Sequence, residues 1–208
     1  PPPICVPAGK DEFWFLIKTG GIKVPINPPQ MNNHGNSIMS MGALCAWLAT
    51  HCEAAGVEIY PGFAASAILF DEHGAVSGVS IGDMGVAKDG SHKSTYAQGI
   101  DIKAKTTVLA EGARGHLSKQ LITRYKLDAD SNPQSYSIGI KELWQVREGA
   151  CEPGKIVHSM GWPADSHTYG GSFLYHLDKN RIALGYVSGL DYQDPNYQPY
   201  EAFQQWKN

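Results

Sequence analysis

The fold is decided by the stretch Tyr169-Gly-Gly-Ser-Phe-Leu-Tyr-His-Leu177, which is followed by the turn Asp178-Lys-Asn180 and by Arg181-Ile-Ala-Leu-Gly-Tyr-Val187. Two largely apolar runs, the first of them rich in aromatic residues, that are joined by a short polar turn are typical of two antiparallel strands. Similar runs precede them at Tyr136–Val146 and Ile156–Trp162. The sequence therefore predicts a mostly antiparallel sheet over the last part of the chain.

The earlier part of the chain has a mixed pattern of helices and strands. Apolar residues recur at helical spacing over about 38–54, which predicts an amphipathic helix capped by Asn36 or Ser37 and ended by Gly56. A second helix is predicted over about 116–125. The predicted strands of this part are Val57–Tyr60, the hairpin Ala64–Phe70 with Ala75–Ile81, Ile100–Ala104, and the almost wholly apolar and therefore buried Thr106–Ala110.

The change of pattern near residue 130 predicts a domain boundary, with residues 1–130 before it and residues 131–208 after it. The fold class that follows is α/β (α+β). The first domain is mixed, and the second is mostly antiparallel sheet.

Composition excludes several classes of protein. The 208 residues carry a formal net charge of -3, whereas a protein that binds duplex nucleic acid usually has a basic excess. No run of eighteen apolar residues occurs, so we expect no membrane-spanning helix, although a monotopic protein remains compatible. The four cysteines are not at zinc-binding spacing, which favours no metal site and a reducing compartment.

Both ends of the chain resemble cut ends. The sequence begins Pro1-Pro-Pro3 without a methionine or a targeting leader, and it ends inside a predicted helix at Asn208. We therefore expect a fragment of a longer protein.

The five consecutive residues Phe13-Trp-Phe-Leu-Ile17 are all apolar and are followed by Lys18 and Lys23. One interpretation is a strand or short helix buried in the core. The alternative is a hydrophobic plug that dips into a membrane interface, with Trp14 at headgroup depth and the lysines against lipid phosphates.

Two glycine-containing segments are candidates for ligand contact. Ala110-Glu-Gly-Ala-Arg-Gly115 leads from a predicted strand into a helix whose N-terminus offers N–H groups to an anion, unless it is an ordinary connection. Glu111 is either an acceptor for a ribose hydroxyl or a solvated loop acid. Gly170 and Gly171 begin an aromatic-rich strand. The aromatic residues that could line a flat apolar pocket there are Trp162, Tyr169, Phe173 and Tyr175. Both His167 and His176 are interpreted as structural.

Several blocks of the sequence together resemble the electron transfer flavoprotein–ubiquinone oxidoreductase family. They run through nearly the whole chain in family order. The blocks are Met31-Asn-Asn-His-Gly-Asn36, Ala54-Ala-Gly-Val-Glu-Ile-Tyr-Pro-Gly-Phe63, Ala110-Glu-Gly-Ala-Arg-Gly115, Ile138-Gly-Ile-Lys-Glu-Leu-Trp144, His167-Thr-Tyr-Gly-Gly-Ser-Phe-Leu-Tyr-His176 and Gly189-Leu-Asp-Tyr-Gln193.

The resemblance implies an enzyme that carries FAD and a [4Fe–4S] cluster and passes electrons from reduced electron transfer flavoprotein to ubiquinone. It implies a monotopic location on the matrix side of the inner mitochondrial membrane, or on the bacterial cytoplasmic membrane. It also implies that residues 1–130 are part of a glutathione-reductase-like FAD domain and that residues 131–208 are part of a quinone-binding domain. No nucleic acid is expected as a partner.

The resemblance also implies roles for particular residues. Tyr169, Gly170 and Gly171 match the quinone pocket of the family. Ala110, Glu111 and Gly112 match the turn that approaches FAD. The segment 12–29 matches the membrane-inserting element, whose apolar residues here are Phe13, Trp14, Phe15, Leu16 and Ile17. No catalytic side chain is assigned, because electron transfer to a quinone needs no covalent nucleophile.

The chain departs from the family pattern by lacking the glycine-rich GxGxxG motif for the FAD pyrophosphate and the set of four cysteines for the cluster. We therefore expect an internal fragment, inactive alone, whose cluster ligands lie outside this chain. Two alternatives stay open. One is another membrane-associated FAD-dependent reductase, of the geranylgeranyl-reductase-like or FixC-like kind, and the other is a non-catalytic monotopic membrane-binding domain.

Overall fold

The chain divides into two units in the computed structural model, which describes residue 3 and residues 5–208. The first unit combines residues 1–57 with residues 134–208, and the second contains residues 58–133. The predicted domains 1–130 and 131–208 stay a prediction, whereas in the structure the strand Lys10–Ile17 pairs with the strand Lys155–Gly161 from the last part of the chain. The FAD and quinone labels for the two parts stay predictions.

The first unit is built on a sheet of six strands. Its strands and helices, in chain order, are β1 (Cys5–Pro7), β2 (Lys10–Ile17), β3 (Gly20–Lys23), β4 (Ser37–Met39), α1 (Met41–Ala54), β10 (Ser137–Gln145), β11 (Lys155–Gly161), β12 (Gly170–Asp178), β13 (Arg181–Gly189) and α3 (Pro199–Lys207). The order across the large sheet is β10-β13-β12-β11-β2-β3, while β1 pairs with β4 separately. All neighbours in the large sheet are antiparallel except β11 and β2.

The two faces of this sheet differ because successive residues of a strand point to opposite sides. The helix face packs against α3, and its core consists of Leu184, Tyr186, Ala202 and Phe203. The other face, which we call the aromatic face, carries Phe13 and Phe15 of β2, His158 and Met160 of β11, and Phe173 and Tyr175 of β12. Part of the aromatic face is covered by Ala8 and Ile38, which pack with Ile156 and Tyr175.

The parallel pair β2–β11 is held on the helix face by a buried carboxylate. Glu12 is 7% exposed, and its carboxylate contacts the ammonium groups of Lys10 at 3.0 Å, Lys23 at 3.1 Å and Lys155 at 3.8 Å. The indole of Trp14 donates a hydrogen bond to the same carboxylate. Burial raises the pKa of Glu12, but the hydrogen bonds from Lys10, Trp14 and Lys23 outweigh burial and lower the pKa to about 2.

The second unit contains a three-stranded sheet, a hairpin and a helix. Its elements are β5 (Ala65–Phe70), β6 (Val76–Ile81), β7 (Met84–Val86), β8 (His92–Ala97), β9 (Asp101–Lys103) and α2 (His116–Tyr125). The antiparallel sheet has the order β5-β6-β9, and β7 pairs with β8. The α2 helix lies against β5, where the Arg124 guanidinium stands 3.9 Å from the centre of the Phe70 ring.

Two predicted strands of this region are wrong. Val57–Tyr60 and Thr106–Ala110 have no strand partner among the described residues, and Val108 is 82% exposed rather than buried. An apolar run indicates a preference for burial, but a strand also needs a second strand to accept and donate its backbone hydrogen bonds.

The first helix also differs from the prediction. It begins at Met41 rather than near Ile38, because Ser37–Met39 pair with β1. Its cap is Ser40, whose hydroxyl accepts from the Ala43 amide, rather than Asn36 or Ser37. Apolar side chains lie all around α1, and none of its residues is buried among the described residues, so the predicted amphipathic character is wrong.

The Glu12 cluster predicts a loss of stability in acid. A group whose pKa is lowered on folding stabilises the fold above its unfolded pKa, near 4.5, and this contribution disappears as the pH falls toward 2. We expect Glu12→Gln to lower the free energy of unfolding at pH 7 by about 2–3 kcal/mol and to flatten its dependence on pH between about 4.5 and 2. Chemical denaturation of the purified chain across this range measures both effects.

Glu53→Gln is the matched control, because Glu53 is exposed on α1. An equal pH dependence of unfolding in wild type and Glu12→Gln would contradict the role of Glu12.

Candidate functional site

A cavity of about 560 Å³ opens on the aromatic face of the six-stranded sheet. Phe173, Tyr175, Leu177, Leu143 and Ala183 form its sheet wall. The opposite wall comes from Ile38, Met39, Met41 and neighbouring residues of β4 and the start of α1. Pockets for small organic molecules are typically of this size, mostly apolar, and lined by a few polar groups.

Three of the described residues that line the cavity are charged. They are Lys141, Asp178 and Arg181, of which the last two form an ion pair. The Arg181 Nε donates to the Asp178 carboxylate at 2.8 Å. This ion pair neutralises most of the charge on its side of the wall, and the remaining lining is mainly apolar, which suits an uncharged occupant.

The aromatic rings of this face contact one another. The Phe173 and Tyr175 rings have centroids 4.9 Å apart, and the His158 ring meets Tyr175 edge-on at 5.6 Å. A hydrogen bond of 3.1 Å joins His158 Nε2 and the Tyr175 hydroxyl. Burial lowers the pKa of His158 and raises that of Tyr175, while the Asp11 carboxylate favours protonation of both groups. Both groups are therefore neutral near pH 7.

The predicted quinone residues lie at one end of β12. Gly170 and Gly171 begin the strand, and Tyr169 precedes it with 76% of its surface exposed. None of the three lines the 560 Å³ cavity. A Cβ on Gly171 would lie 2.6 Å from the Ser159 carbonyl oxygen, and one on Gly170 would collide with that of Val187. The close approach that the glycines allow is thus to neighbouring strands of the sheet.

The aromatic pocket predicted from four residues is brought together only in part. Phe173 and Tyr175 line the cavity, whereas Trp162 and Tyr169 do not. His176 is buried, and its Nδ1 accepts a hydrogen bond from the Glu152 amide, which is a structural contact.

The apolar segment Phe13–Ile17 lies in β2, which forms a hairpin with β3. Trp14 is half-buried on the helix face, whereas Phe15 and Ile17 are exposed on the aromatic face. Ile22 of β3 stands opposite Phe15 and is also exposed. Phe15, Ile17 and Ile22 therefore form an apolar hairpin patch next to Lys18 at the tip.

The side-chain carboxylate of Glu111, in the turn before α2, accepts hydrogen bonds from the first residues of this helix. Glu111 accepts hydrogen bonds from the Ser118 amide at 2.7 Å, the Ser118 hydroxyl at 2.6 Å and the Leu117 amide at 3.3 Å. These bonds from Ser118 lower the pKa of Glu111. The amides of Leu117 and Ser118 are therefore not free for an anion, contrary to the expectation, because a side-chain carboxylate already accepts from both.

The backbone beside this carboxylate is open. Gly112 has a φ of +77°, and a Cβ there would meet nothing within 4 Å. Ala110 and Glu111 are exposed along the same segment. A ligand could approach this backbone, but a phosphate would meet the negative charge of Glu111.

Sequence reasoning missed His158 as a site residue. The signal was the alternation of side chains in the predicted strand Ile156–Trp162, which places His158 on the same face as Ile156. What the sequence could not supply was the register that puts His158 opposite both Phe13 and Phe173.

Two other features bear on the class of site. No helix in the part of the chain that the structure describes is long and apolar enough to span a bilayer. Within residue 3 and residues 5–208, no three His, Cys, Asp or Glu side chains cluster so that they could hold a metal ion.

The packing around Gly171 predicts a stability effect. We expect Gly171→Val to lower the free energy of unfolding by about 2 kcal/mol or more, because its Cβ would press on the Ser159 carbonyl. Gly139→Ala is the control, since a Cβ at that position in the same sheet makes an ordinary 3.8 Å contact with Val187. Denaturation midpoints of the two variants measure the difference. If Gly171→Val is as stable as wild type, the close approach is not a constraint.

Comparison with known proteins identifies both a domain and full-length relatives. Residues 136–208 match the family model described as "ETF-QO, ubiquinone-binding". Proteins named electron transfer flavoprotein-ubiquinone oxidoreductase, mitochondrial, from Bos taurus and Homo sapiens are each 48% identical to the chain over 209 residues. The protein of that name from Oryza sativa subsp. japonica is 46% identical over 207 residues.

Each alignment covers 99% of this chain but only 34–36% of the relative. The chain therefore spans about a third of the length of the curated relatives it matches. This agreement along nearly all of its residues confirms the resemblance of the chain to the electron transfer flavoprotein–ubiquinone oxidoreductase family.

Proposed function

We propose that this chain forms the quinone-binding part of an electron transfer flavoprotein–ubiquinone oxidoreductase. The observation that carries the proposal is the 560 Å³ apolar cavity, whose sheet wall is built by residues 141–183, inside the segment that matches the ubiquinone-binding family model. A quinone ring is flat and uncharged, and the Phe173 and Tyr175 rings offer it a surface on which to stack.

In this proposal the electrons pass from reduced electron transfer flavoprotein to ubiquinone, and FAD and a [4Fe–4S] cluster held by the intact enzyme would supply the electron transfer. The relatives are named mitochondrial, which supports a mitochondrial location. Within the mitochondrion we propose the matrix side of the inner membrane, with the bacterial cytoplasmic membrane as the equivalent. The cluster ligands are proposed to lie outside this chain.

The FAD contact is proposed only in a restricted form. Ala110, Glu111 and Gly112 fit an approach of the cofactor to exposed backbone, since the space beside Gly112 is open. They do not fit a pyrophosphate, because Glu111 occupies the N-terminus of α2. FAD supplies the exchange of electrons with the partner and the quinone, and we assign this segment no part in that chemistry.

The roles of the chain's own residues follow from the aromatic face. The exposed hairpin patch and the cavity lie on the same face, with Phe13 and His158 between them. We propose that the hairpin dips into the membrane surface, where the apolar patch contacts lipid tails and Lys18 contacts headgroup phosphates. A quinone with a long apolar tail would then reach the cavity along this face without leaving apolar surroundings. Tyr169, Gly170 and Gly171, at the end of β12, are proposed to border that path.

The intact protein that contains this sequence tests the proposal. We expect it to oxidise reduced electron transfer flavoprotein in the presence of a short-chain ubiquinone. Activity with a prenyl substrate but not with a quinone would favour a geranylgeranyl-reductase-like enzyme, and absence of bound flavin would favour a membrane-binding domain.

A charge at the cavity wall is expected to weaken quinone binding. Leu143→Glu should raise the KM for the quinone about tenfold, because it replaces an apolar contact with a carboxylate that must be desolvated. Leu190→Glu is the control, since Leu143 and Leu190 are similarly exposed, 58% and 52%, and Leu190 does not line the cavity. Equal KM values for the two variants would remove the cavity from the proposal.

Charges on the hairpin are expected to release the intact protein from membranes. Phe15→Asp combined with Ile17→Asp should reduce co-flotation with liposomes about tenfold or more, because two carboxylates would enter the apolar layer. These positions are preferable to Trp14, which contacts the buried Glu12. Val108→Asp is the control for an exposed apolar residue elsewhere. Undiminished flotation of the double variant would contradict the membrane contact.

A further inference from the structure

The reduction of a quinone to a quinol consumes two protons as well as two electrons, and the cavity wall is mostly apolar. Among the described residues that line it, Tyr175 is the one that combines an aromatic surface with a hydroxyl group. This hydroxyl is joined to His158 by the 3.1 Å hydrogen bond on the aromatic face. Tyr175 lines the cavity and His158 does not, so that His158 meets the site only through its contact with Tyr175.

We propose that Tyr175 is the proton donor to the bound quinone and that His158 replaces the proton that Tyr175 gives up. This inference rests on the proposed quinone-reducing function of the same cavity. Tyr175 would touch the substrate and is a catalytic residue in this sense, whereas His158 acts through Tyr175 and is a positioning and proton-supplying residue.

The quinone takes up two electrons, which a flavin bound to the intact reduced enzyme would supply. The Tyr175 O–H bond breaks as a new O–H bond forms on one quinone oxygen. His158 returns a proton from Nε2 to the Tyr175 oxygen and takes up a proton from water at Nδ1. The second quinone oxygen receives its proton from water.

The surroundings support this direction of proton flow. The nearest charged group on β2 is Asp11, whose carboxylate accepts from the Asn33 amide at 2.9 Å and from the Asn33 side chain at 2.7 Å. Burial lowers the pKa of His158 and raises that of Tyr175, and the Asp11 charge partly offsets the first effect and adds to the second. An imidazole with a neighbouring carboxylate can gain a proton transiently, and this lowers the barrier for passing a proton onward.

The other charged and titratable groups around the pair are few. Tyr175 contacts the uncharged Phe173 on its own strand, β12. It also packs against Ala8, which precedes β2, and against Ile38 of β4. Lys141 on β10 and the Asp178–Arg181 ion pair line the same cavity. Of these, the Lys141 ammonium is a rival proton donor, and it is included in the test.

The experiment uses the intact oxidoreductase that contains this sequence. Wild type, Tyr175→Phe, His158→Gln, Lys141→Met and Tyr197→Phe are compared. Tyr197→Phe is the matched control, because it also removes a hydrogen-bonded tyrosine hydroxyl, the one that meets Tyr186 at 2.9 Å on the helix face. Three rates or affinities are measured: ubiquinone-1 reduction, ferricyanide reduction, which needs no proton, and equilibrium binding of ubiquinone-1 to the oxidised enzyme.

We expect Tyr175→Phe to reduce ubiquinone-1 at least about tenfold more slowly. Its ferricyanide rate and its ubiquinone-1 dissociation constant should stay within twofold of wild type. The slow rate should rise in proportion to the concentration of an added small acid such as imidazolium, whereas wild type should not respond. His158→Gln should retain quinone binding, slow the reduction, and show the same rescue. Tyr197→Phe should behave as wild type, and any change of rate in Lys141→Met should not be rescued by added acid.

Two results would overturn the proton-transfer role. One is an unchanged rate of ubiquinone-1 reduction by Tyr175→Phe, and the other is an equal loss of ferricyanide reduction or quinone binding, which would indicate a structural effect alone. A slow Lys141→Met variant that is rescued by added acid would assign the proton to Lys141 instead. If wild type neither binds nor reduces ubiquinone-1 while it reduces ferricyanide, the proposed function fails, and this outcome is distinct from failure of the Tyr175 assignment.

Discussion

The parallel pairing of β2 with β11 is the contact on which the rest of the first unit depends. It joins Lys10 to Lys155 and continues to Leu16 opposite Gly161, so that a segment near the start of the chain completes a sheet built near its end. This pairing brings Phe13 beside His158 and connects the exposed hairpin to the cavity wall. Without it, the hairpin and the cavity would lie on separate surfaces.

The register of that pairing is as important as its existence. A shift of one residue would turn Phe13 and Phe15 to the helix face and would place Glu12 and Trp14 on the aromatic face. Such a shift would also separate the Glu12 carboxylate from Lys155. A buried carboxylate that loses its partners is costly, so the cluster of charges disfavours the shifted sheet more strongly than apolar packing alone.

The sequence predicted what is local and missed what is not. The four late strands, the hairpin of β5 and β6, and helices α2 and α3 follow from alternation, turns and helical spacing within short segments. The partnership of Phe13–Ile17 with β11 could not be read from the sequence, because no short-range pattern specifies a distant partner. The same limit explains why Val57–Tyr60 and Thr106–Ala110 were predicted as strands although the described residues supply them no partner.

The candidate site was predictable to a similar degree. The aromatic character of β12 indicated a flat pocket, and Phe173 and Tyr175 do line a cavity. The pairing of His158 with Tyr175 depends on the relative position of two strands, and the closing of the α2 N-terminus by Glu111 depends on a turn geometry. Residue type alone encodes neither feature. For example, the same sequence pattern is compatible with a glutamate that caps a helix and with a glutamate that contacts a ligand.

The separation of β2 from β11 along the chain also has a consequence during synthesis. A ribosome releases the apolar run Phe13–Ile17 long before its partner strand exists, and closing so large a loop is slow. During this interval the run has the composition of a segment that aggregates through strand pairing with other copies. Lys10, Asp11, Glu12 and Lys18 flank it on both sides. Two of these charges, Lys10 and Glu12, belong to the cluster that later holds the sheet in register, so the same residues can also act as gatekeepers against aggregation of the nascent chain.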